Sequence, residues 1–486
     1  MKFTIPKEVA DILTTLTGDG FDAYIVGGSV RDLLRNVEPK DWDVATRATP
    51  EEIQKLFPDS VYENEFGTVI IKTGSEDKKL AIVEVTTFRK EEKYSDFRHP
   101  DKITFTESIN EDLGRRDFTI NAMALSKDNV IVDPFDGQND LRKKVVRAVG
   151  DPEKRFAEDA LRLMRAVRLA SELGFEIEEN TENALRKSAN LLENIAKERI
   201  RDELVKILMS PGEGAKWGVE KLEEFGLLTY IIPELREGIG MTQNKHHTYS
   251  VWEHNILSLD YAAKKEYALE IRLAALLHDV GKPRTKDGEG PNATFYNHEI
   301  VGAKMAREVL DRLHFPKAIT KKITHLIRYH MFYYNVDEVT AAGVRRFVKR
   351  VGADSISDLI KLREADRIGS GVPKAVPYKL RHFMFMIEKV KTDPISSKML
   401  EFKGGDVMKL LDLEPSPKIG WILAILLEEV LDDPDKNDGK SLETRAKELG
   451  KLSDQELEKN AKKAQEKKGE FESGLEEEMK KKYYVK

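Results

Sequence analysis

The sequence predicts an α+β protein in which an N-terminal α/β head is followed by a mostly α-helical remainder. Residues 1–148 alternate short β-rich runs with helical patterns, whereas nearly every segment beyond residue 150 repeats its apolar residues with a helical period. The chain has 486 residues, which is enough for several domains and a substantial core. We therefore expect a sheet-containing head and then helical domains.

The predicted strands of the head are the runs rich in β-branched residues, at 23–26, 69–72, 80–87 and 130–133. The segment 87–113 is highly charged, contains Pro100 and has little periodicity, so we expect a surface loop there. Beyond the head, Asp151 and Pro152 begin a predicted helix that continues to Gly174.

Two aspartates, Asp41 and Asp43, are the most informative feature of the head. Alternate side chains of a strand point to one face, so an Asp-Trp-Asp strand places both carboxylates on the same side. Close carboxylates repel each other unless a cation lies between them, and hard divalent ions such as Mg²⁺ bind both carboxylates and nucleotide phosphates. Glu84, in the predicted strand 80–87, either joins the pair as a third ligand or has a structural role.

A glycine pair lies upstream of these aspartates, within Gly27-Gly28-Ser29-Val30-Arg31-Asp32. Glycine lets the backbone approach a triphosphate closely, and an arginine can neutralise it. An isolated Asp-x-Asp is most often a solvated turn. The order of strand, glycine turn, Arg-Asp pair and acidic strand favours a nucleotide site instead.

This order of motifs resembles the nucleotidyltransferase head of class II tRNA CCA-adding enzymes and bacterial poly(A) polymerases, in the DNA polymerase beta superfamily. Four later blocks resemble the same family in the same order, at 115–124, 133–137, 158–168 and 198–204. The resemblance implies that Asp41 and Asp43 are catalytic residues that bind Mg²⁺. It also implies that the 3′ end of tRNA is extended from CTP and ATP with release of pyrophosphate.

The resemblance also implies nucleotide-binding roles for residues of three blocks: Gly27, Gly28, Ser29, Arg31, Arg116, Asp117, Asn121, Asp159, Arg162 and Arg165. Asp159 and Arg162 are three residues apart, so on a helix they would share one face. A carboxylate only accepts hydrogen bonds and a guanidinium only donates them. The pair therefore matches the amino donor and ring-nitrogen acceptor of cytosine and adenine, but neither uracil nor guanine. The alternative is an ordinary surface ion pair.

Three cations of the fifth block region, Lys197, Arg199 and Arg201, are candidates for contact with the tRNA backbone. Charged residues on such helices are often simply solvated, so both interpretations stay open. The family has a flexible loop at the place of the segment 87–113, where it helps to reshape the nucleotide pocket. The presence of the segment 87–113 in this chain favours an enzyme that can finish with A over one restricted to adding C.

A second metal site is predicted further along the chain, where eight of the ten histidines fall between residues 246 and 330. Adjacent His and Asp at the end of an apolar helix, with distant histidines, suit a divalent metal. The pattern resembles an HD-type phosphohydrolase domain, and the resemblance implies a ligand set whose metal is unidentified: His254, His278, Asp279, His298, His330 and Asp366.

Composition narrows the possible environments and partners. The sequence has no cysteine, no apolar run of eighteen residues and no apolar leader after Met1, so we expect a cytoplasmic protein without a membrane segment. The formal net charge is −6, so RNA binding requires a local positive surface.

The expected domains follow one another along the chain: a nucleotidyltransferase head at 1–148, a helical neck and body at 149–240, an HD domain at 241–370, further body helices at 371–434 and a charged helix or disordered tail at 435–486. Two alternatives to CCA addition remain open. One is an enzyme of the same fold that adds only A, to tRNA or as a poly(A) polymerase. The other is a metal-dependent phosphohydrolase that acts on RNA ends.

Overall fold

The structure, a computed structural model, describes residues 3–62, 67–92, 102–244, 248–336, 338–391 and 397–485. The chain forms two compact units, one of residues 1–331 and 357–375 and the other of residues 332–356 and 376–486. No helix within the described residues is long and apolar enough to span a bilayer.

The head is built on a mixed sheet of seven strands in the order β3-β4-β5-β2-β1-β8-β9, counted over the described residues. Two short two-stranded sheets, β6-β7 and β10-β11, accompany it. The strands are β1 (Ala23–Val26), β2 (Asp43–Thr46), β3 (Val61–Tyr62), β4 (Thr68–Lys72), β5 (Ile82–Thr87), β6 (Arg89–Glu92), β7 (Lys102–Phe105), β8 (Ala124–Ser126), β9 (Ile131–Val132), β10 (Val145–Val146) and β11 (Glu176–Ile177).

Helices form the rest of the first unit and most of the second. Those of the head and neck are α1 (Lys7–Gly18), α2 (Gly28–Leu34), α3 (Pro50–Leu56), α4 (Ile109–Gly114), α5 (Gly137–Lys143), α6 (Pro152–Glu158), α7 (Leu161–Leu173), α8 (Glu179–Ser188), α9 (Lys197–Leu208), α10 (Gly214–Glu224), α11 (Leu228–Ile231) and α12 (Pro233–Arg236). Those that follow are α13 (Val251–Lys264), α14 (Leu269–Leu277), α15 (Lys282–Thr285), α16 (His298–Arg312), α17 (Lys317–Tyr329), α18 (Ala341–Val351), α19 (Ile356–Gly369), α20 (Tyr378–Lys391), α21 (Gly404–Leu411), α22 (Pro417–Asp432), α23 (Gly439–Gly450) and α24 (Asp454–Tyr483).

One face of the head sheet is covered by apolar side chains of α1 and α3. Ile25 of β1 and Val44 of β2 are fully buried there, together with Leu13 of α1 and Ile53 of α3. The alternation of strand side chains then sends Asp43, the neighbour of Val44, towards the opposite face. The core thus fixes the side of the sheet on which the acidic residues lie.

The helix predicted from Asp151 to Gly174 is interrupted. Pro152–Glu158 and Leu161–Leu173 form separate helices, because Asp159 adopts extended backbone angles with φ −133° and ψ 103°. Its Oδ1 accepts a hydrogen bond of 3.0 Å from the N–H of Leu161, so its side chain competes with continuation of the helix. The predicted end is correct, since Gly174 terminates α7 with a left-handed φ of 66°.

The surface loop expected at 87–113 contains regular structure. Strands β6 and β7 pair antiparallel with Arg89 opposite Phe105, and α4 follows them. Pro100 and its neighbours 93–101 lie outside the described residues. The ends of the expected loop are therefore ordered arms beside the head sheet.

The second unit contains an aromatic core and a helical C-terminal part. Of the two alternatives for residues 435–486, the structure has the helical one, as α23 and α24. Leu442, Leu449, Leu457 and Ala461 of these helices are buried in one cluster with residues of α22. The expected tail is thus a packed part of the unit.

Candidate active site and candidate metal centre

The pairing of β2 with β5 brings predicted acidic residues of the head together. Asp43 is the first residue of β2 and lies in parallel register with Glu84 of β5. In-register residues of neighbouring strands point to the same face, so Glu84 lies beside Asp43. Asp41 precedes the strand and is exposed, whereas Trp42 between them is buried, as the alternation requires.

The glycine turn lies directly against this acidic pair. Gly27 has a φ of 74°, and a Cβ there would lie 3.0 Å from Nη1 of Arg116 and 3.7 Å from Oδ2 of Asp43. Ser29, at the start of α2, donates a hydrogen bond of 2.9 Å to the carbonyl oxygen of Asp41. A side chain at Gly27 would therefore fill the space that separates the turn from the carboxylate.

The electrostatics of Asp43 suit a cation. Burial raises the pKa of Asp43, the charge of Arg116 lowers it, and the charge of Asp41 raises it further. A divalent ion that binds oxygen ligands would neutralise both aspartates, so the two carboxylates could hold one. A divalent ion held by these aspartates would supply positive charge that stabilises the oxygens of a reacting phosphate.

Four predicted nucleotide-binding residues form one hydrogen-bonded chain. Nη1 of Arg31 donates to Oδ1 of Asn121 at 2.8 Å, and Nδ2 of Asn121 donates to Oδ1 of Asp117 at 3.2 Å. Nε of Arg165 donates to Oδ2 of Asp117 at 2.8 Å. Asp32 holds the other edge of the Arg31 guanidinium at 3.0 and 3.1 Å. The chain thus links α2 of the head to α7 of the neck.

Asp117 is the charged centre of this chain. Burial alone would raise the pKa of Asp117, but the charge and hydrogen bonds of Arg165 hold that pKa well below its ordinary value. The ion pair is therefore present at neutral pH, and it fixes the orientation of α7 relative to the second block.

The break between α6 and α7 changes the expected geometry of Asp159 and Arg162. They are not on one helical face, as the sequence predicted. Asp159 stands at the junction, and the N–H of Arg162 bonds its carbonyl oxygen at 3.0 Å. Arg162 is buried, and its guanidinium donates to Glu158 at 2.7 Å and to the carbonyl oxygens of Arg155 and Arg115 at 3.0 Å.

These bonds leave part of Arg162 available. With respect to the described residues, they occupy both Nη1 donors and one Nη2 donor, so Nε–H and one Nη2–H remain of the five that a guanidinium has. Either remaining donor can serve an acceptor such as a ring nitrogen. Asp159 in turn has Oδ2 at 3.4 Å from Nη2 of Arg199.

Two of the three predicted RNA-binding cations of α9 have carboxylate partners within the chain. Arg199 lies beside Asp159, as described, and Arg201 donates to Asp202 at 2.8 Å. Lys197, the first residue of α9, is half-buried. Arg199 is therefore placed to orient Asp159, a function that the sequence did not indicate.

Two carboxylates of this region were not predicted. Glu158 bonds Arg162 and also Nη1 of Arg155, each at 2.7 Å. Asp112 is fully buried and lies 3.4 Å from Nη2 of Arg116. Glu158 immediately precedes Asp159 in the fourth block, which was a usable signal, whereas nothing in the sequence distinguished Asp112.

The six predicted ligands of the HD region meet in one buried cluster. Their helices bring them together: His254 from α13, His278 and Asp279 after α14, His298 at the start of α16, His330 after α17 and Asp366 from α19. His254 and His278 are fully buried, and Asp279 and His330 are nearly so.

Three imidazoles of the cluster are oriented by the backbone. Nδ1 of His278, His298 and His330 each lies at 2.7–2.9 Å from the carbonyl oxygen three residues earlier. Nδ1 is then the protonated nitrogen, which leaves Nε2 as the metal-binding atom. His246 and His247, to which the sequence pattern assigns no function, lie outside the described residues.

Asp279 lies between two groups of ligands. Its Oδ2 is 3.2 Å from Nε2 of His254 and 3.4 Å from that of His278. Its Oδ1 is 3.3 Å from Nε2 of His298 and 3.7 Å from that of His330. Burial would lower the pKa of His254, but hydrogen bonds that its Nε2–H donates to Asp279 and Asp366 raise it to about 9. A divalent ion would take the place of this proton.

The cluster opens into a cleft of about 520 Å³ within the first unit. Lys282, at 2.5 Å from Oδ2 of Asp279, lines the cleft together with Arg363 and Arg367. Arg363 also donates to Oδ2 of Asp366 at 2.7 Å. Imidazole and carboxylate ligands beside three cations can bind a metal ion and an anionic ester group together.

Three family models match the chain in sequence. Residues 23–147 match the poly A polymerase head domain, residues 174–239 match the probable RNA and SrmB-binding site of polymerase A, and residues 246–369 match the HD domain.

The chain is also similar to characterised proteins. An A-adding tRNA nucleotidyltransferase of Deinococcus radiodurans is 35% identical over 84% of this chain and 91% of its own length. A CCA-adding enzyme of Lactobacillus helveticus is 51% identical over 41% of this chain, so the alignment spans about half of that enzyme, 49%. The crystal structure of the Bacillus stearothermophilus CCA-adding enzyme in complex with CTP has a TM-score of 0.59 and 28% identity, over 92% of this chain and 98% of that one.

Proposed function

The chain belongs to the tRNA nucleotidyltransferase family, and we propose that it builds the 3′-CCA end of tRNA from CTP and ATP. The support comes from the similarity of the head and neck to CCA-adding enzymes and from the contacts of the site. The observation that carries the proposal is the chain of hydrogen bonds from Arg31 to Arg165. It connects α2, which begins at the glycine turn, with the helix that follows Asp159.

In the proposed reaction, Asp41 and Asp43 hold Mg²⁺, and Glu84 beside them is a candidate third ligand. Gly27, Gly28, Ser29 and Arg31 bind the triphosphate at the start of α2. The terminal 3′-hydroxyl of the tRNA attacks the α-phosphate, the bond to the β-phosphate breaks and pyrophosphate leaves. In this proposal Asp117 and Asn121 contact the sugar, and Arg116 or Arg165 contacts the base or a phosphate.

Base selection is assigned to Asp159 and Arg162. The carboxylate accepts from the exocyclic amino group of cytosine or adenine, and a remaining donor of Arg162 bonds the neighbouring ring nitrogen. Uracil and guanine reverse both positions, so each would leave buried polar groups unpaired at a cost of about 1–3 kcal/mol per group. Two reversals together give discrimination by orders of magnitude.

A second candidate is the addition of A alone to tRNA that already ends in CC. The relative that aligns over most of this chain is named an A-adding enzyme, whereas the alignment to the Lactobacillus CCA-adding enzyme covers less than half of it. Both candidates use the same head and the same neck residues, so the geometry of the site does not separate them.

Two tRNA substrates distinguish the candidates. With tRNA that lacks its last three nucleotides, CCA addition predicts incorporation of labelled C and then of A. With tRNA ending in CC, both candidates predict one A. Incorporation of A only, and only on the second substrate, would contradict CCA addition, and incorporation on neither would contradict both.

The proposed domains are a head at 1–148, a neck and body at 149–240, an HD domain at 241–370 and helical regions at 371–434 and 435–486.

In the HD domain, six residues are proposed to hold a divalent metal: His254, His278, Asp279, His298, His330 and Asp366. The cations at its cleft favour a phosphohydrolase activity towards phosphomonoesters or 2′,3′-cyclic phosphates. Hydrolysis of 2′,3′-cyclic AMP by the wild-type chain, with loss in His278→Ala, is the expected result. No hydrolysis with any of several divalent metals would contradict this activity.

A further inference from the structure

Helix α18 carries a concentrated positive charge. Its sequence contains Arg345, Arg346, Lys349 and Arg350 and no carboxylate, although the whole chain has a net charge of −6. All four cations are exposed. The charge of this helix is thus opposite in sign to that of the protein that carries it.

The apolar residues of α18 fix which side of the helix faces outward. Val344, Phe347 and Val351 are buried. The ring of Phe347 packs against those of Phe332 and Phe383, with centroids 5.2 and 5.3 Å apart. The four cations lie at positions i, i+1, i+4 and i+5. Residues four apart are neighbours on a helix surface, so the cations form two rows along the exposed face, with about 6 Å between the two members of each row.

Intramolecular partners do not account for these cations. Within the described residues, none of the four makes an ion pair, and α18 has no acidic residue of its own. On the preceding helix α17, by contrast, Lys322 lies 2.9 Å from Asp358 and Arg328 lies 3.3 Å from Glu299. Like charges at i,i+4 destabilise a helix by about 0.2–0.5 kcal/mol per pair, so these cations lower the stability of α18 when no anion is bound.

We propose that the exposed face of α18 binds the phosphate backbone of tRNA. The inference rests on the proposed function, which supplies a polyanionic partner. Three of the four cations are arginines, which bind phosphate through two donors at once. The cations first predicted for this task are less suitable, since Arg199 and Arg201 have carboxylate partners within the neck.

Backbone contacts have a measurable signature. Each phosphate contact releases counterions, so the logarithm of the binding constant falls with the logarithm of salt concentration by about 0.7–0.9 per contact. Such contacts carry no base specificity. Loss of the α18 charges should therefore weaken binding of different tRNAs alike and leave CTP and ATP binding unchanged.

The test compares two variants of the full chain, each with four cations replaced by glutamine. One variant changes the cations of α18: Arg345→Gln, Arg346→Gln, Lys349→Gln and Arg350→Gln. The control removes the same charge from exposed lysines of α23 and α24, whose sequences also contain acidic residues: Lys440→Gln, Lys447→Gln, Lys459→Gln and Lys463→Gln. Fluorescence anisotropy gives Kd for tRNA lacking CCA between 50 and 200 mM KCl, and circular dichroism checks folding.

We expect the α18 variant to raise Kd for tRNA at least 10-fold and to lower the salt slope by about 3, for four lost contacts. The control should change neither by more than about 2-fold. Equal losses in both variants would show a net-charge effect and overturn the proposal, as would no loss in either. If the wild-type chain binds tRNA through α18 but adds neither C nor A, the proposed function fails while the RNA-binding surface stands.

Discussion

The acidic pair of the head and the HD cluster are both candidate metal sites, but they differ in exposure. Asp41 is exposed and Asp43 is half-buried. His254 and His278 are 0% exposed, and Asp279 is 2% exposed. An open carboxylate pair can receive its ions together with the triphosphate that also ligates them, whereas a buried cluster is a preformed enclosure. We therefore expect an exchangeable metal in the head and a retained metal in the HD cluster.

The largest expected effect comes from the open site. Asp43→Asn keeps the shape but removes a charged ligand, so stabilisation of the reacting phosphate falls by several kcal/mol, about 10³-fold in rate. Incorporation of labelled A into tRNA ending in CC measures it. Glu84→Gln is the matched control on the neighbouring strand and should reduce the rate less, since two carboxylates remain. Unchanged incorporation in Asp43→Asn would show that the acidic pair is not the catalytic site.

The buried site is tested by metal retention. Asp279→Asn removes the carboxylate that lies between both histidine groups, and we expect the purified protein to retain at least 10-fold less divalent metal. Elemental analysis after dialysis against EDTA provides the measurement, and nucleotide addition should persist. A variant that retains its metal, or that loses addition together with the metal, would contradict two separate sites.

The effect of Arg162 on base selection should be smaller in free energy than the effect of Asp43 on the rate. Arg162→Ala removes donors to the ring nitrogen, so discrimination between CTP and UTP should fall by about 10–100-fold, while KM for the preferred nucleotide changes less. Glu158→Gln tests whether the carboxylate beside Arg162 orients it, and it should show a milder effect of the same kind. Competition between CTP and UTP on one tRNA measures the ratio. Equal loss of activity with both nucleotides would contradict the assignment.

The smallest expected effect concerns stability and pH. The pKa of Asp117 is lower in the folded protein than in the unfolded chain, so this group contributes stability above pH about 4 that is lost as the pH falls further. Asp117→Asn should cost about 1–2 kcal/mol at neutral pH, because the side chain of Arg165 is 34% exposed and partly screened. Urea unfolding at pH 7 and at pH 3.5 measures the difference, which should shrink at the lower pH. A constant difference would rule out the charge of Asp117 as its source.

The two sites also differ in how far the sequence predicted them. Local patterns predicted β1 with correct ends, and the resemblance to an HD domain pointed to six residues that the fold brings together in one buried cluster. The interruption at Asp159 was missed because helical periodicity continues across it, from Phe156 to Leu161 and beyond. The helix is interrupted where the carboxylate of Asp159 accepts a hydrogen bond from the N–H of Leu161, and this contact does not alter the periodicity.

The C-terminal helices show the same limit. Leu457, Ala461 and Ala464 have helical spacing, but alanines among many charges are a weak apolar signal. Their burial depends on contacts with α22, which the local sequence pattern does not contain. Similarly, the pairing of Arg199 with Asp159 and of Lys282 with Gln243 depends on contacts between distant segments, which no local pattern contains.

The central claim is that the junction between α6 and α7 presents Asp159 and Arg162 to the base of a nucleotide held at Asp41 and Asp43. A crystal structure of this chain with CTP and Mg²⁺ tests it most directly. We predict that the cytosine amino group donates to the carboxylate of Asp159 and that the ring nitrogen accepts from Nε or Nη2 of Arg162. A triphosphate bound at the glycine turn with its base elsewhere would contradict the claim.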